Sequence, residues 1–171
     1  MLNVINPWRR LVAEALNGVD FAVADVSDVA ALTDLFADFF AEAGYKDRGI
    51  VYSPEAATTW LNYVIFHGTC PHVIARERDS RALVGVTSYS LDRSFCVDPV
   101  AVLHTLYVVP AWRKSAVGRV LVALSTEAAQ GDGAVAFHAP LASGMSETKT
   151  LVNLFRRAGF DEIGVIMGRK L

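Results

Sequence analysis

The segment that most constrains this chain runs Val102-Leu103-His104-Thr105-Leu106-Tyr107-Val108-Val109-Pro110, then Ala111-Trp112-Arg113-Lys114-Ser115-Ala116-Val117-Gly118-Arg119-Val120-Leu121. A strand-like apolar run stops at a proline, crosses a short basic turn with small residues, and opens directly into helical periodicity. A strand that feeds a helix in this way leaves first-turn N–H groups without intrahelical acceptors, at the positive end of the helix dipole. That is a seat for a phosphate or pyrophosphate. Arg113 and Lys114 add positive charge and Ser115 a hydroxyl, while Ala116 and Gly118 keep side-chain bulk away from approaching oxygens. Alanine suits position 116 only if its φ is negative. An ordinary β-to-α connection with solvated basic residues would carry the same composition, so the surrounding element order has to decide.

A chain of 171 residues is most simply one domain, long enough to bury a real core. Its 53% hydrophobic and 20% charged residues belong to a compact globular protein rather than a disordered tail. The net charge of −2 provides no global basic field, so neither nucleic acid nor an anionic membrane is an expected partner. Basic residues cluster locally at Arg113, Lys114 and Arg119 and at Arg156 and Arg157, which suits one small polyanion. The two cysteines, Cys70 and Cys96, read as free thiols of a reducing compartment. No basic start is followed by an apolar signal region, and no apolar run is long enough to span a bilayer. The expectation is a cytoplasmic domain.

Asn6 and Pro7 read as an N-cap and first helical residue, with Trp8, Leu11, Val12, Ala15 and Leu16 at helical spacing until Gly18. Residues 1–18 are therefore expected to form a helical extension ahead of one domain at 19–171. Its apolar face needs cover, and a second copy of the chain is one way to supply it. Phe21–Ala24 reads as a strand. Asp25 or Ser27 caps a helix with Val29, Leu32, Phe36, Phe39 and Ala43 on one face, closed by Gly44. Ser53-Pro54-Glu55 opens another helix, to about Phe66. Val73–Arg78 and Ala82–Leu91 read as a hairpin about Asp79-Ser80. Val100–Val109 is a strand, 117–129 a helix broken by Gly131 and Gly133, and Ala134–Ala139 a strand. A helix over 148–157 ends at Gly159, and Ile163–Lys170 closes as strand. This order predicts a mixed α/β layer on one central sheet.

The turn Arg113-x-x-Ala116-x-Gly118 resembles the Q/R-x-x-G-x-G/A turn of the GNAT superfamily of N-acetyltransferases, with Ala116 in place of the first glycine. The element order from Val19 to Leu171 resembles that family's fold, a central mixed, mostly antiparallel sheet flanked by helices. The Tyr107-Val108-x-Pro110-x-x-Arg113 run and the C-terminal Gly159-Phe160 are most similar to short phage-encoded members. The resemblance implies an acyl-CoA N-acyltransferase: acetyl-CoA is bound and its acetyl group passes to a primary amine, of a small molecule or a peptide, by direct attack. It implies that Arg113, Lys114, Ser115, Ala116, Val117, Gly118 and Arg119 hold the pyrophosphate of coenzyme A. It further implies that pantetheine pairs with the backbone of Leu106, Val108 and Val109, in a gap between their strand and the parallel strand at 134–139. The Val108 N–H is then the donor that polarises the acyl carbonyl. Read from hydrophobicity alone, the same three residues are equally well core.

His104 is the sharpest candidate for acid–base chemistry. A lysine-like amine with pKa near 10.4 is only about one part in a thousand neutral at pH 7, so a base titrating near neutrality has work to do. Leu103-His104-Thr105-Leu106 also resembles the matching strand of serotonin N-acetyltransferase, which carries a histidine at the position of His104. Strand alternation places His104 on the same side as Leu106 and Val108, and a packed core histidine fits that placement equally. The family's general-acid tyrosine is matched here by Phe155, and an upstream asparagine by Thr148. A phenyl ring cannot donate a proton, although a thiol with pKa near 8.5 leaves tolerably unaided. A non-catalytic acyl-CoA-binding or structural protein is therefore the alternative. His138, at a strand end, is a secondary acid–base candidate or simply a solvated residue. His67, Cys70 and His72 lack the second cluster that a metal centre needs. The amine is expected to enter near Phe39, Tyr45 or Tyr63, while Trp8 and Trp60 read as core or interface aromatics.

Overall fold

A computed structural model describes residues 18–94, 97–141 and 148–164, with the side chain of Thr148 outside that description. Its strands are β1 (Val19–Val23), β2 (His72–Glu77), β3 (Leu83–Asp92), β4 (Val100–Val108) and β5 (Ala136–His138). Its helices are α1 (Val29–Glu42), α2 (Pro54–His67), α3 (Val117–Gly131) and α4 (Thr148–Arg157). The expected extension at 1–18 lies outside the described residues up to residue 17, as does the closing strand from residue 165 onward; Ile163 and Gly164 are irregular. The first strand starts two residues earlier than expected. The strand expected over 134–139 is confined to Ala136–His138, because Gly133 turns with φ +91° and Pro140 withholds a donor.

The strands lie in the order β1-β2-β3-β4-β5, antiparallel throughout except for the parallel pair β4–β5. Local chemistry explains the helix entries. Asp25 and Asp28 cap each other's backbone in a capping box that starts a short 3-10 turn into α1. The Ser53 hydroxyl accepts from the Ala56 N–H, and Pro54 occupies the first turn of α2. Asp28 also pairs with Arg76 of β2, tying this entry to the sheet.

Both faces of the sheet are covered. On one, Val117, Leu121 and Leu124 of α3 pack on Val19, Phe21, Val73 and Ala75. On the other, Val29, Leu32, Leu35 and Phe36 of α1 and Leu61 of α2 pack on Ile74, Val86 and Tyr107. The second layer is therefore α1 and α2, and the third is α3 with α4, whose Phe155 joins Leu103 and Val122. Gly85 sets how closely α3 lies on β3. A Cβ there would stand 2.9 Å from Leu121 Cδ1 and 3.1 Å from the Tyr107 carbonyl oxygen.

Two bulges interrupt the pleat. In β3, Ala75 faces Gly85 and Arg76 faces Leu83, so Val84 is the extra residue. In β4, Thr105 faces Ser88 and Leu103 faces Tyr89, so His104 is the extra residue.

Candidate active site

The bulge corrects the expected orientation of His104. Leu103 packs with Val122 and Phe155 on the α3 face, and Leu106 and Val108 pack on that face as well. Simple alternation would carry His104 along with Leu106 and Val108; the inserted residue breaks the period between them. Tyr89 packs with Ala128 and Ala129 of α3, so its neighbour Ser90 points to the α1/α2 face. His104 Nε2 lies 2.7 Å from Ser90 Oγ, and the residue is exposed. His104 is therefore not a packed core histidine but a ring on the floor of the α1/α2 side. Partial burial against that floor holds its pKa below the usual imidazole value.

β5 pairs with β4 only through Val100–Val102. From Leu103 to Val108 that edge of β4 has no strand beside it among the described residues. The polar groups on this edge follow from the register. Val109 N–H donates to the Val84 carbonyl at 3.0 Å, which makes Val108 and Gly85 a non-hydrogen-bonded pair. The N–H and C=O of Val108 therefore point away from β3, toward the open edge, and those of Leu106 share this parity. Val109 does not: its amide is spent on β3.

After Pro110 the chain makes one 3-10 turn, Pro110–Trp112, and enters α3 with Ala116 as N-cap at φ −81°. Alanine is thus unstrained where the resembling turn carries glycine. Val120 N–H makes the first i→i−4 bond, to the Ala116 carbonyl, so the amides of Gly118 and Arg119 precede the helix's own acceptors. A Cβ on Gly118 would meet Val108 Cγ2 at 3.6 Å, an ordinary contact. Lys114, Ser115 and Arg119 are exposed, whereas Val117 is fully buried against the sheet and contributes only through its backbone. The Ser115 hydroxyl donates to the Trp112 carbonyl (2.6 Å) and accepts from Val117 N–H (3.2 Å), bracing the turn from within.

Arg113 stands differently from its basic neighbours. Its guanidinium meets both carboxylate oxygens of Glu42, each at 2.5 Å, and its Nε donates to the Val108 carbonyl at 2.9 Å. It also lies over the Tyr107 ring, 5.6 Å from the centroid, and Tyr107 Oη donates to Glu42 at 3.1 Å. Arg113 holds the Glu42 carboxyl below the usual range, and burial with the nearby carboxylate pushes the Tyr107 phenol up to about 12. Glu42 and Tyr107 were invisible as site residues by pattern, since a glutamate on an exposed helical stripe reads as solvated surface.

Phe39 and Tyr45 stand together, with Phe39 also 5.4 Å from the Tyr107 ring. Tyr63 belongs elsewhere, on the exposed face of α2 beside His67. Trp60 is half-exposed, with its ring 5.7 Å from His72. His138, at the end of β5, lines a cavity of about 640 Å³ with Val102, Phe155 and Phe160. Phe155 is buried, edge-to-face with Phe160.

His67, Cys70 and His72 do not assemble; among the described residues no group of three or more ligating side chains converges on one point. Cys70 is buried, and burial pushes its thiol up to about 11. Cys96 lies outside the described residues. His72 is buried between Phe36 and Trp60, and its Nδ1 stands 2.7 Å from the Cys70 carbonyl. A carbonyl only accepts, so Nδ1 carries the proton. Burial lowers the His72 pKa to about 4. No helix among the described residues is long and apolar enough to cross a membrane.

Residues 29–160 match the model of the acetyltransferase (GNAT) family. No curated protein matches the sequence. Among solved structures, a putative acetyltransferase from Arthrobacter superposes with a TM-score of 0.71 at 20% identity, covering 88% of this chain and 95% of that one. An aminoglycoside N-acetyltransferase in complex with CoA also scores 0.71, at 16% identity, covering 89% and 94%. A predicted acetyltransferase with acetyl-CoA from Clostridium acetobutylicum scores 0.66 at 13% identity, covering 88% and 95%. At these identities the likeness is one of fold.

Proposed function

The chain belongs to the acetyltransferase (GNAT) family, and we propose that it transfers the acetyl group of acetyl-CoA to a primary amine of a small molecule by direct attack. The observation that supports this most is the open edge of β4, which runs from His104 past Leu106 and Val108 into a basic turn and the N-terminus of α3. One continuous strip thus offers a base, main-chain donors and a phosphate seat in sequence. These residues fit the group: an extended pantetheine arm pairs along a free strand edge, and a pyrophosphate accepts from first-turn amides.

When bound, acetyl-CoA supplies an activated acyl group on a thioester. The amides of Gly118 and Arg119 hold the pyrophosphate, with Lys114 and Arg119 adding charge from the exposed rim and Ser115 shaping the turn. The N–H groups of Leu106 and Val108 donate to acceptors on the open edge, Val108 being the donor for the charge that develops on the acyl oxygen. His104 is the base. In the tautomer whose Nε2–H donates to Ser90 Oγ, the lone pair is on Nδ1, and that nitrogen takes the proton of the attacking amine, directly or through water. Partial burial lowers the His104 pKa from the usual imidazole value, which favours the neutral ring that a base requires.

The acceptor reaches His104 from the α1/α2 side, past the Phe39–Tyr45 aromatic group. Several fold neighbours are aminoglycoside acetyltransferases, so hydroxylated polyamines belong in the first panel. The alternative, a cofactor-binding protein without efficient chemistry, rests on Phe155 in place of a phenol. One experiment separates the readings. Incubation with acetyl-CoA and an amine panel should release thiol and yield acetylated product by mass spectrometry, and coenzyme A should raise the melting temperature by mass action. Stabilisation by coenzyme A without amine-dependent thiol release supports the non-catalytic reading. The absence of any shift at millimolar coenzyme A removes both.

A further inference from the structure

The Arg113 guanidinium, expected to face the pyrophosphate, is instead forked onto the carboxylate of Glu42. Glu42 is the last residue of α1, the helix that covers the face carrying His104. The fork does more than neutralise charge. It holds Arg113 Nε against the Val108 carbonyl, on the open edge where a ligand would otherwise find an acceptor. The Val108 carbonyl thus already has a protein donor, while the register turns its N–H toward the open edge. Tyr107, the residue between the two open-edge amides, contributes its hydroxyl to Glu42 and its ring to Arg113. One carboxylate on α1 thereby links Tyr107 of β4 to Arg113, the residue that follows the 3-10 turn.

From this cluster we infer that Glu42 is a positioning residue for the acyl donor, acting through Arg113 to brace the Val108 backbone on the open edge and to hold the turn into α3. The inference rests on the proposed acyl-CoA reading and deepens it. Glu42 itself touches neither the acyl group nor the base, so its signature is mainly in donor affinity, and it reaches the chemical step only through Val108. A forked guanidinium–carboxylate pair has a defined geometry, which neither a neutral amide nor a shorter acid reproduces.

The test is isothermal titration with coenzyme A of wild type, Glu42→Gln, Arg113→Lys and the double variant, beside their melting temperatures. Glu42→Gln should weaken coenzyme A about five- to tenfold and raise KM for acetyl-CoA by a similar factor, with a smaller fall in kcat transmitted through Val108. Its melting temperature should stay within about 3 °C of wild type, because a partly exposed pair contributes little to stability. The double variant should lose no more than the worse single one, as expected when both act through one contact. Glu42→Asp keeps the charge but cannot reach, and should show the same weakening; wild-type affinity in it would overturn the inference. Tighter binding by Glu42→Gln would also overturn it, showing that the pair withholds Arg113 from phosphate. A loss of affinity that merely follows a large fall in melting temperature overturns it in favour of a structural role. Wild type that does not bind coenzyme A removes the functional reading itself, a result distinct from all the others.

Discussion

His104 Nε2 stands 2.7 Å from Ser90 Oγ because a single inserted residue in β4 turns the ring out of the core and onto the α1/α2 face. The bulge does what no side-chain choice could do alone. It leaves Leu103 and Leu106 packed on the α3 side while freeing the ring between them.

If His104 is the base, His104→Gln should leave coenzyme A affinity unchanged and lower turnover roughly a hundredfold or more. The loss should shrink as pH rises and the amine deprotonates without help. Because partial burial lowers the His104 pKa, the acid limb of the wild-type profile should have its midpoint below the usual imidazole value. Ser90→Ala should reduce kcat several-fold, with KM for acetyl-CoA unaffected. A pH–rate series on the three proteins decides this, and an unaltered rate for His104→Gln removes the residue from the mechanism.

His72 makes stability depend on pH. Its folded pKa of about 4 lies below the unfolded value of about 6.5, so the unfolded chain binds more protons between them. Stability from this group is complete above about pH 6.5 and is lost as pH falls through 4, with an upper magnitude of roughly 3 kcal/mol. Urea unfolding of wild type and His72→Gln at pH 7.5, 6 and 5 should show the wild type losing more on acidification.

Gly85→Ala places a methyl against Leu121 and the Tyr107 carbonyl. Overpacking of this kind costs about 1–3 kcal/mol. Since α3 begins at the phosphate turn, lifting it off β3 should weaken coenzyme A as well as lower the melting temperature. Chemical denaturation and titration on the same preparation measure both.

Phe155→Tyr tests the missing phenol. The ring is packed with Leu103 and Val122 and also lines the cavity beside His138. The variant should fold, bind coenzyme A normally and turn over faster, as judged by steady-state thiol release. An unchanged kcat would show that the thiolate leaves without assistance.

Much of the architecture was legible in the chain because it is written locally. Ser53-Pro54 announces α2, the Pro110 stop and the period change at Val117 announce the turn, and Asp79-Ser80 announces the hairpin. What escaped is non-local. The bulge at His104 exists only in the register of Ser88 with Thr105 and Tyr89 with Leu103, which the β4 sequence does not contain. Glu42 meets Arg113 across 71 positions, a pairing that no local pattern around either residue records. The turn motif named Arg113 but not its partner, since it records which residue is present and not what holds it.

A strand edge with no strand beside it among the described residues is adhesive toward any extended peptide, including one from another molecule. Between Leu103 and Val108 that adhesive strip coincides with the path proposed for pantetheine. The metabolite consumed in each turnover would then double as a surrogate strand, shielding the sheet from growing across molecules. Depletion of acyl donor and a tendency to self-associate would thus share one stretch of backbone.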